Sequence, residues 1–105
     1  MTGEELYKFA QEKYNCQINV YSPNFGTCIH KPTELFWMLE KAMQVEPRRN
    51  FLEIGLFRGG GFLLWSLLFH RVCSIDLNKV LIDRFGDNYY EFRAAPDRYC
   101  FIDGF

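Results

Sequence analysis

The run Phe51-Leu-Glu-Ile-Gly-Leu-Phe-Arg-Gly-Gly-Gly61, followed by Ile75-Asp76, constrains this chain more than any other feature. It reads as a short apolar strand, a glycine-rich turn, a helix, a second apolar strand and an acid at that strand's tip. An open α/β sheet builds a nucleotide pocket in this order, beyond the carboxyl ends of its strands. Glycine lets the backbone reach positive φ and pass close to a ligand. Asp76 is then placed to grip the hydroxyl pair of a ribose.

Glycine spacing separates the nucleotide classes. A dinucleotide fingerprint requires G-x-G-x-x-G, but the second residue after Gly55 is Phe57, and the next glycine is Gly59. A phosphate-cradling loop requires Gly-Lys followed by Ser or Thr, whereas Gly60-Gly61 leads into Phe62. Within the turn, only Arg58 offers a cation to a polyphosphate.

The pattern that fits is E-x-G-x-x-x-G-G, carried by Glu53, Gly55, Gly59 and Gly60. With Ile75-Asp76 and Phe101-Ile-Asp-Gly104 downstream, residues 22–105 resemble the class I S-adenosylmethionine-dependent methyltransferases. The closest subgroup is the one related to cephalosporin hydroxylases and sugar O-methyltransferases, whose motifs are L-E-I-G-x-x-x-G-G-S, I-D and F-I-D-G-D-H. The resemblance implies a Rossmann-like α/β fold with an open, mostly parallel sheet of about four strands, preceded by an N-terminal helical segment. It also implies S-adenosylmethionine as cofactor, held by Glu53, Gly55, Gly59, Gly60 and Asp76, and methyl transfer to a small-molecule acceptor, expected to be a hydroxyl. Asp103 takes the catalytic role, or serves as one ligand of a divalent metal such as Mg, and His30 is read either as a group that orients a substrate or simply as a loop residue.

Three departures qualify the match. Gly61 replaces the usual Ser or Thr, the segment between Asp76 and Phe101 is short, and Phe105 stands where the motif continues to Asp-His. The expected organisation is therefore an N-terminal helix and loop over residues 1–31 and the first half of a methyltransferase domain over residues 32–105. In the resembling family the strand with Phe101 lies beside the strand with Glu53, so its far edge is expected to be bare. A homodimer through the strand at 99–102 follows, since an unpaired edge is a template for pairing. The alternative function is a catalytically inactive interaction module using that edge.

Composition excludes other classes. Hydrophobic residues at 49%, with eleven Phe, describe a packed chain, not a disordered one. A net charge of -1 with no basic run beyond Arg48-Arg49 gives no footprint for nucleic acid. The apolar stretch at 62–69 is too short for a membrane span, and the polar start lacks a secretory signal, so a cytoplasmic protein is expected. Cys16, Cys28, Cys73 and Cys100 form no C-x-x-C pair and are expected as reduced, buried thiols.

Periodicity places the elements. Thr2-Gly-Glu-Glu5 is a capping box ahead of a helix whose stripe is Leu6, Phe9, Ala10 and Tyr14. An extended piece is expected at 18–21. Pro32 opens a second helix with Leu35, Met38, Leu39, Ala42 and Met43 on a face expected to pack on the sheet. Strands follow at 51–56, 72–75, 90–93 and 99–102, with helices at 62–70 and 79–85.

The chosen residues also have plainer roles. Glu53 could serve a chance salt bridge, Asp76 could cap the helix near Lys79, and Asp103-Gly104 could be only a turn. Tyr21, Phe25 and Trp37 read as core or lid packing.

Overall fold

The computed structural model describes residues 1–14, 17–18, 27–28, 31–57 and 59–104, with backbone alone at 17–18 and 27–28. Helix α1 spans Gly3–Tyr14, and short strands β1 (Gln17–Ile18) and β2 (Thr27–Cys28) pair in parallel. Next come α2 (Pro32–Met43), β3 (Asn50–Ile54), α3 (Gly60–Leu68), β4 (Arg71–Asp76), α4 (Lys79–Asn88), α5 (Tyr90–Arg93) and β5 (Tyr99–Asp103). Strands β3, β4 and β5 form an open, all-parallel three-strand sheet in that order. The topology is Rossmann-like α/β, with helices ahead of the sheet.

The capping box forms as its spacing predicts. Thr2 Oγ1 accepts from Glu5 N at 3.1 Å, and Glu5 Oε1 accepts from Thr2 N at 3.2 Å. Leu6 and Ala10 are buried, whereas Phe9 on the same expected stripe is 47% exposed. Helix α2 buries Leu35 and Leu39 as expected, but it packs principally on α1 and not on the sheet. Of the extended piece expected at 18–21, Ile18 lies in β1 and the rest falls outside the described residues.

The sheet has three strands where about four were expected, because residues 90–93 form a helical turn. Only Phe92 of α5 is buried, and Tyr90 is 69% exposed, so burial does not alternate as a strand requires. Arg93 also ties this turn back to α4, donating to Asp87 Oδ1 at 2.9 Å and to the Asp83 carbonyl at 3.1 Å. A second correction concerns order. The strand with Phe101 lies beside β4, in register Ser74↔Phe101, and not beside the strand with Glu53. Both β3 and β5 are therefore edges, and the bare edge expected at 99–102 is one of two.

The core lies on one side of the sheet. Phe62, fully buried on α3, meets the rings of Phe85, Phe92, Tyr99 and Phe101 at centroid distances of 5.3, 5.2, 5.9 and 4.9 Å. Phe51 stacks on Trp65 at 4.5 Å. Tyr14 of α1 meets Phe92 at 5.5 Å, which joins the amino-terminal helix to the same cluster. The opposite sheet face carries Leu52 (57% exposed), Ile54 (70%) and Ile102 (43%), and no described helix covers them. Trp37, expected in a core or lid, is also exposed, with Lys41 Nζ 5.6 Å from its ring centroid. No described helix is long and apolar enough to cross a membrane.

Because four rings converge on Phe62, Phe62→Ala is expected to cost about 3 to 5 kcal/mol in denaturant unfolding. Phe9→Ala, at a half-exposed position, should stay within about 1 kcal/mol. Equal losses would show that the cluster is not the core.

Candidate functional site

The glycine turn sits at the carboxyl end of β3. Gly55 has φ +94°, Gly59 has φ +82°, and Phe57 between them also lies at positive φ, 51°. Gly55 N donates to the Ile75 carbonyl at 2.7 Å, which extends the β3–β4 ladder to the turn. Gly59 N donates to the Leu56 carbonyl at 2.9 Å, and the Gly59 carbonyl accepts the first helical bond of α3 from Leu63 N at 3.0 Å. The two glycines differ in surroundings. A Cβ on Gly55 would meet nothing within 4 Å, whereas one on Gly59 would run into the Phe85 ring. Gly55 thus leaves its backbone open to a ligand, and Gly59 serves close packing of the turn on α4. Gly60 opens α3 and is buried.

Asp76 closes the turn from the tip of β4. Its Oδ2 accepts from Leu56 N at 2.9 Å and Phe57 N at 3.0 Å, and its Oδ1 accepts from Asn78 N at 2.8 Å. The helix-capping alternative goes to Asn78 instead, whose Oδ1 accepts from Val80 N at 3.0 Å at the start of α4. A carboxylate has about four lone-pair sites. Three described donors leave Asp76 capacity for one further hydroxyl.

Glu53 points to the helix-covered side of the sheet. Its Oε1 accepts from Ser74 Oγ at 3.0 Å, and its Oε2 lies beneath Gly61. Burial raises its pKa from 4.5 to about 7, against the hydrogen bonds from Ser74 and Trp65, with the Asp76 charge adding to the rise. The absent Ser or Thr at position 61 has a physical reason here. A Cβ on Gly61 would stand 2.7 Å from Glu53 Oε2, so the acid occupies that space. This contact, invisible in spacing alone, makes Glu53 a support of the turn from below.

Asp103 lies directly across from Asp76 in the β4–β5 register and is exposed, so two carboxyl groups share adjacent strand tips. Lys79 stands near them, paired with Asp83 at 2.9 Å. Among the described residues no group of three or more His, Cys, Asp or Glu could hold a metal ion. His30 and Arg58 fall outside the described residues, as do Cys16, Tyr21 and Phe25. Cys73 and Cys100 are free thiols, half-exposed rather than buried, because their strands are central in sequence but bare on one face.

No protein-family model matches this chain, and neither a curated protein nor a solved structure matches it.

Two predictions follow from the turn. Gly59→Ala should destabilise by about 2 to 4 kcal/mol, combining left-handed backbone with overpacking against Phe85, and Gly55→Ala by about 1 to 2 kcal/mol from backbone alone. Chemical denaturation of both variants, showing Gly55 to be the costlier site, would reverse the assignment. For Glu53, the folded state holds its proton more tightly than the unfolded chain does. Stability is therefore full below about pH 4.5 and declines as pH rises to about 7, by roughly 3 kcal/mol from this group. Glu53→Gln should remove that decline, as read from urea midpoints at pH 5 and pH 8.

Proposed function

We propose that this chain is the cofactor-binding part of an S-adenosylmethionine-dependent methyltransferase acting on a small-molecule hydroxyl. One observation carries the reading: the glycine turn at the carboxyl end of β3 is tied to Asp76 at the tip of the neighbouring parallel strand. That is the place in an open α/β sheet where a nucleoside is bound. The residues present fit such a group. Gly55 leaves open space above its backbone, and Asp76 retains an acceptor for a ribose hydroxyl. The three sequence motifs that resemble the methyltransferases support the same choice over NAD, because their glycine spacing differs from the dinucleotide fingerprint.

In this reading Glu53 supports the turn from below, Gly55, Gly59 and Gly60 shape its backbone, and Asp76 positions the ribose. The bound cofactor supplies an electrophilic methyl group on a sulfonium. Alignment of donor and acceptor provides most of the acceleration, and a base relieves the acceptor of its proton. Asp103, exposed at the tip of β5 across from Asp76, is the candidate for that role, alone or as one ligand of a divalent ion such as Mg.

A second reading is favoured by the exposed Leu52, Ile54 and Ile102 together with two open edges. Under it the chain is an inactive module that forms a homodimer along β5 near 99–102. Calorimetric titration with S-adenosylmethionine, its demethylated product and NAD distinguishes the readings. Tighter binding of either sulfur compound than of NAD is expected. Asp76→Asn, which keeps an acceptor for Leu56 and Phe57, should weaken it by about 1.5 to 3 kcal/mol. Preference for NAD would sink the assignment. Binding of none, with sedimentation as a dimer, would favour the inactive module.

A further inference from the structure

The sheet face that no described helix covers is an ordered grid. Two transverse rows cross β3, β4 and β5, Leu52 with Cys73 and Cys100, then Ile54 with Ile75 and Ile102, and ahead of them Asn50 pairs with Arg71 while Arg98 lies just before β5. Cys73 and Cys100 are direct register partners on adjacent parallel strands. Neighbouring strands lie about 4.8 Å apart, and both side chains leave the sheet on the same side. They also line a shallow depression of about 390 Å³ together with Leu52, Arg71 and Arg98.

We propose that Cys73 and Cys100 form a two-thiolate binding site for a soft monovalent cation, copper(I), on this open face.

The donor set selects the ion. Sulfur ligands favour soft metals, while magnesium and calcium require oxygen. Zinc in a structural site takes four ligands, and the remaining face residues near the pair are Leu52, Ile54, Ile75 and Ile102, which offer none. Copper(I) is satisfied by two thiolates, and a register pair on adjacent strands brings two to one face. Binding replaces two S–H bonds with two Cu–S bonds and releases two protons: two thiols and Cu⁺ give a bis-thiolate complex of charge -1. That charge is matched locally. Arg71 already favours the ionised form of Cys73, and Arg98, held by its Nε donating to the His70 carbonyl at 2.9 Å, borders the same depression. No other titratable side chain belongs to these rows. Burial, then the neighbouring Cys100 thiol, raises the Cys73 pKa to about 11, so at neutral pH the ion must displace protons.

The test uses the wild-type chain under anaerobic conditions, titrated with copper(I) against a chromophoric chelator. One tightly held ion per chain is expected, with X-ray absorption reporting two sulfur neighbours. Alkylation followed by mass spectrometry should find Cys73 and Cys100 protected by the ion and Cys16 and Cys28 unprotected. Affinity should rise as pH rises from 6 to 8, because binding displaces protons from the thiols. Cys100→Ser should weaken binding by more than about 100-fold while the circular dichroism of the chain is retained. Protection of Cys16 or Cys28 instead, three or more sulfur neighbours, or an affinity that does not rise with pH would overturn the proposal. So would oxidation of the pair to a disulfide without bound copper. Should Cys100→Ser fail to fold, the protection map and the sulfur count on the wild-type chain decide alone.

Discussion

The carboxylate of Asp76 holds together the end of the sheet on which any nucleotide reading depends. Leu56 and Phe57 lie between the last residue of β3 and the first of α3, where neither the sheet ladder nor the helix can take their N–H groups. One charged oxygen accepts both, and charge-assisted bonds of this kind are stronger than neutral ones. The turn can then place Phe57 at positive φ and deliver Gly59 against the Phe85 ring. Phe85 belongs to the ring cluster around Phe62, so the turn and the core support each other through one contact.

One-sided packing is the second constraint. Parallel sheets are normally covered on both faces, and their strands read as continuous apolar runs for that reason. Here β3 and β4 carry such runs, yet the helices gather on the Phe51, Val72 and Phe101 side. Aromatic residues make this possible in a small sheet. Phe62, Phe85, Phe92, Tyr99 and Phe101 fill the space between three strands and three helices with rings, each bringing a large apolar area. No described helix covers the other face, which keeps its apolar character.

Much of this was legible in the sequence where a local rule acts alone. The capping box at Thr2, Pro32 at the start of α2 and the glycine turn after β3 each depend on a few adjacent residues. Rossmann-like topology followed from that turn and the alternation of strands and helices. Partner choice was less legible. The Tyr90 and Phe92 rings have strand propensity, but the packing of Phe92 and the Arg93 bonds to α4 select a helical turn. Spacing could not show that β5 pairs with β4, because strand order is decided by which edge is free. Nor could it show that Cys73 meets Cys100, since 27 residues separate them in sequence and only register joins them. For the site, Glu53, the glycines and Asp76 do converge, while the support of the turn by Glu53 beneath Gly61 depends on a side-chain contact that no local pattern encodes.

The two ends of the sheet carry different chemistry, and this keeps the two proposed sites apart. Parallel strands align all their carboxyl ends, which gathers Asp76 and Asp103 at one end and Arg71 and Arg98 at the other. The thiol row lies three residues before the acidic tips, roughly 10 Å away, which is just beyond a Debye length of about 8 Å at physiological salt. A nucleoside gripped at the acidic tips therefore changes the potential at the thiol pair little. The pair lies on the bare face, whereas Glu53 and Asp76 project to the covered one. Coupling between the two has one structural route, the β4 backbone that carries both Cys73 and Asp76. A rigid central strand, hydrogen-bonded on both sides, transmits position but has no second arrangement to switch to, and without two arrangements there is no allosteric element. The two sites are accordingly expected to be thermodynamically independent.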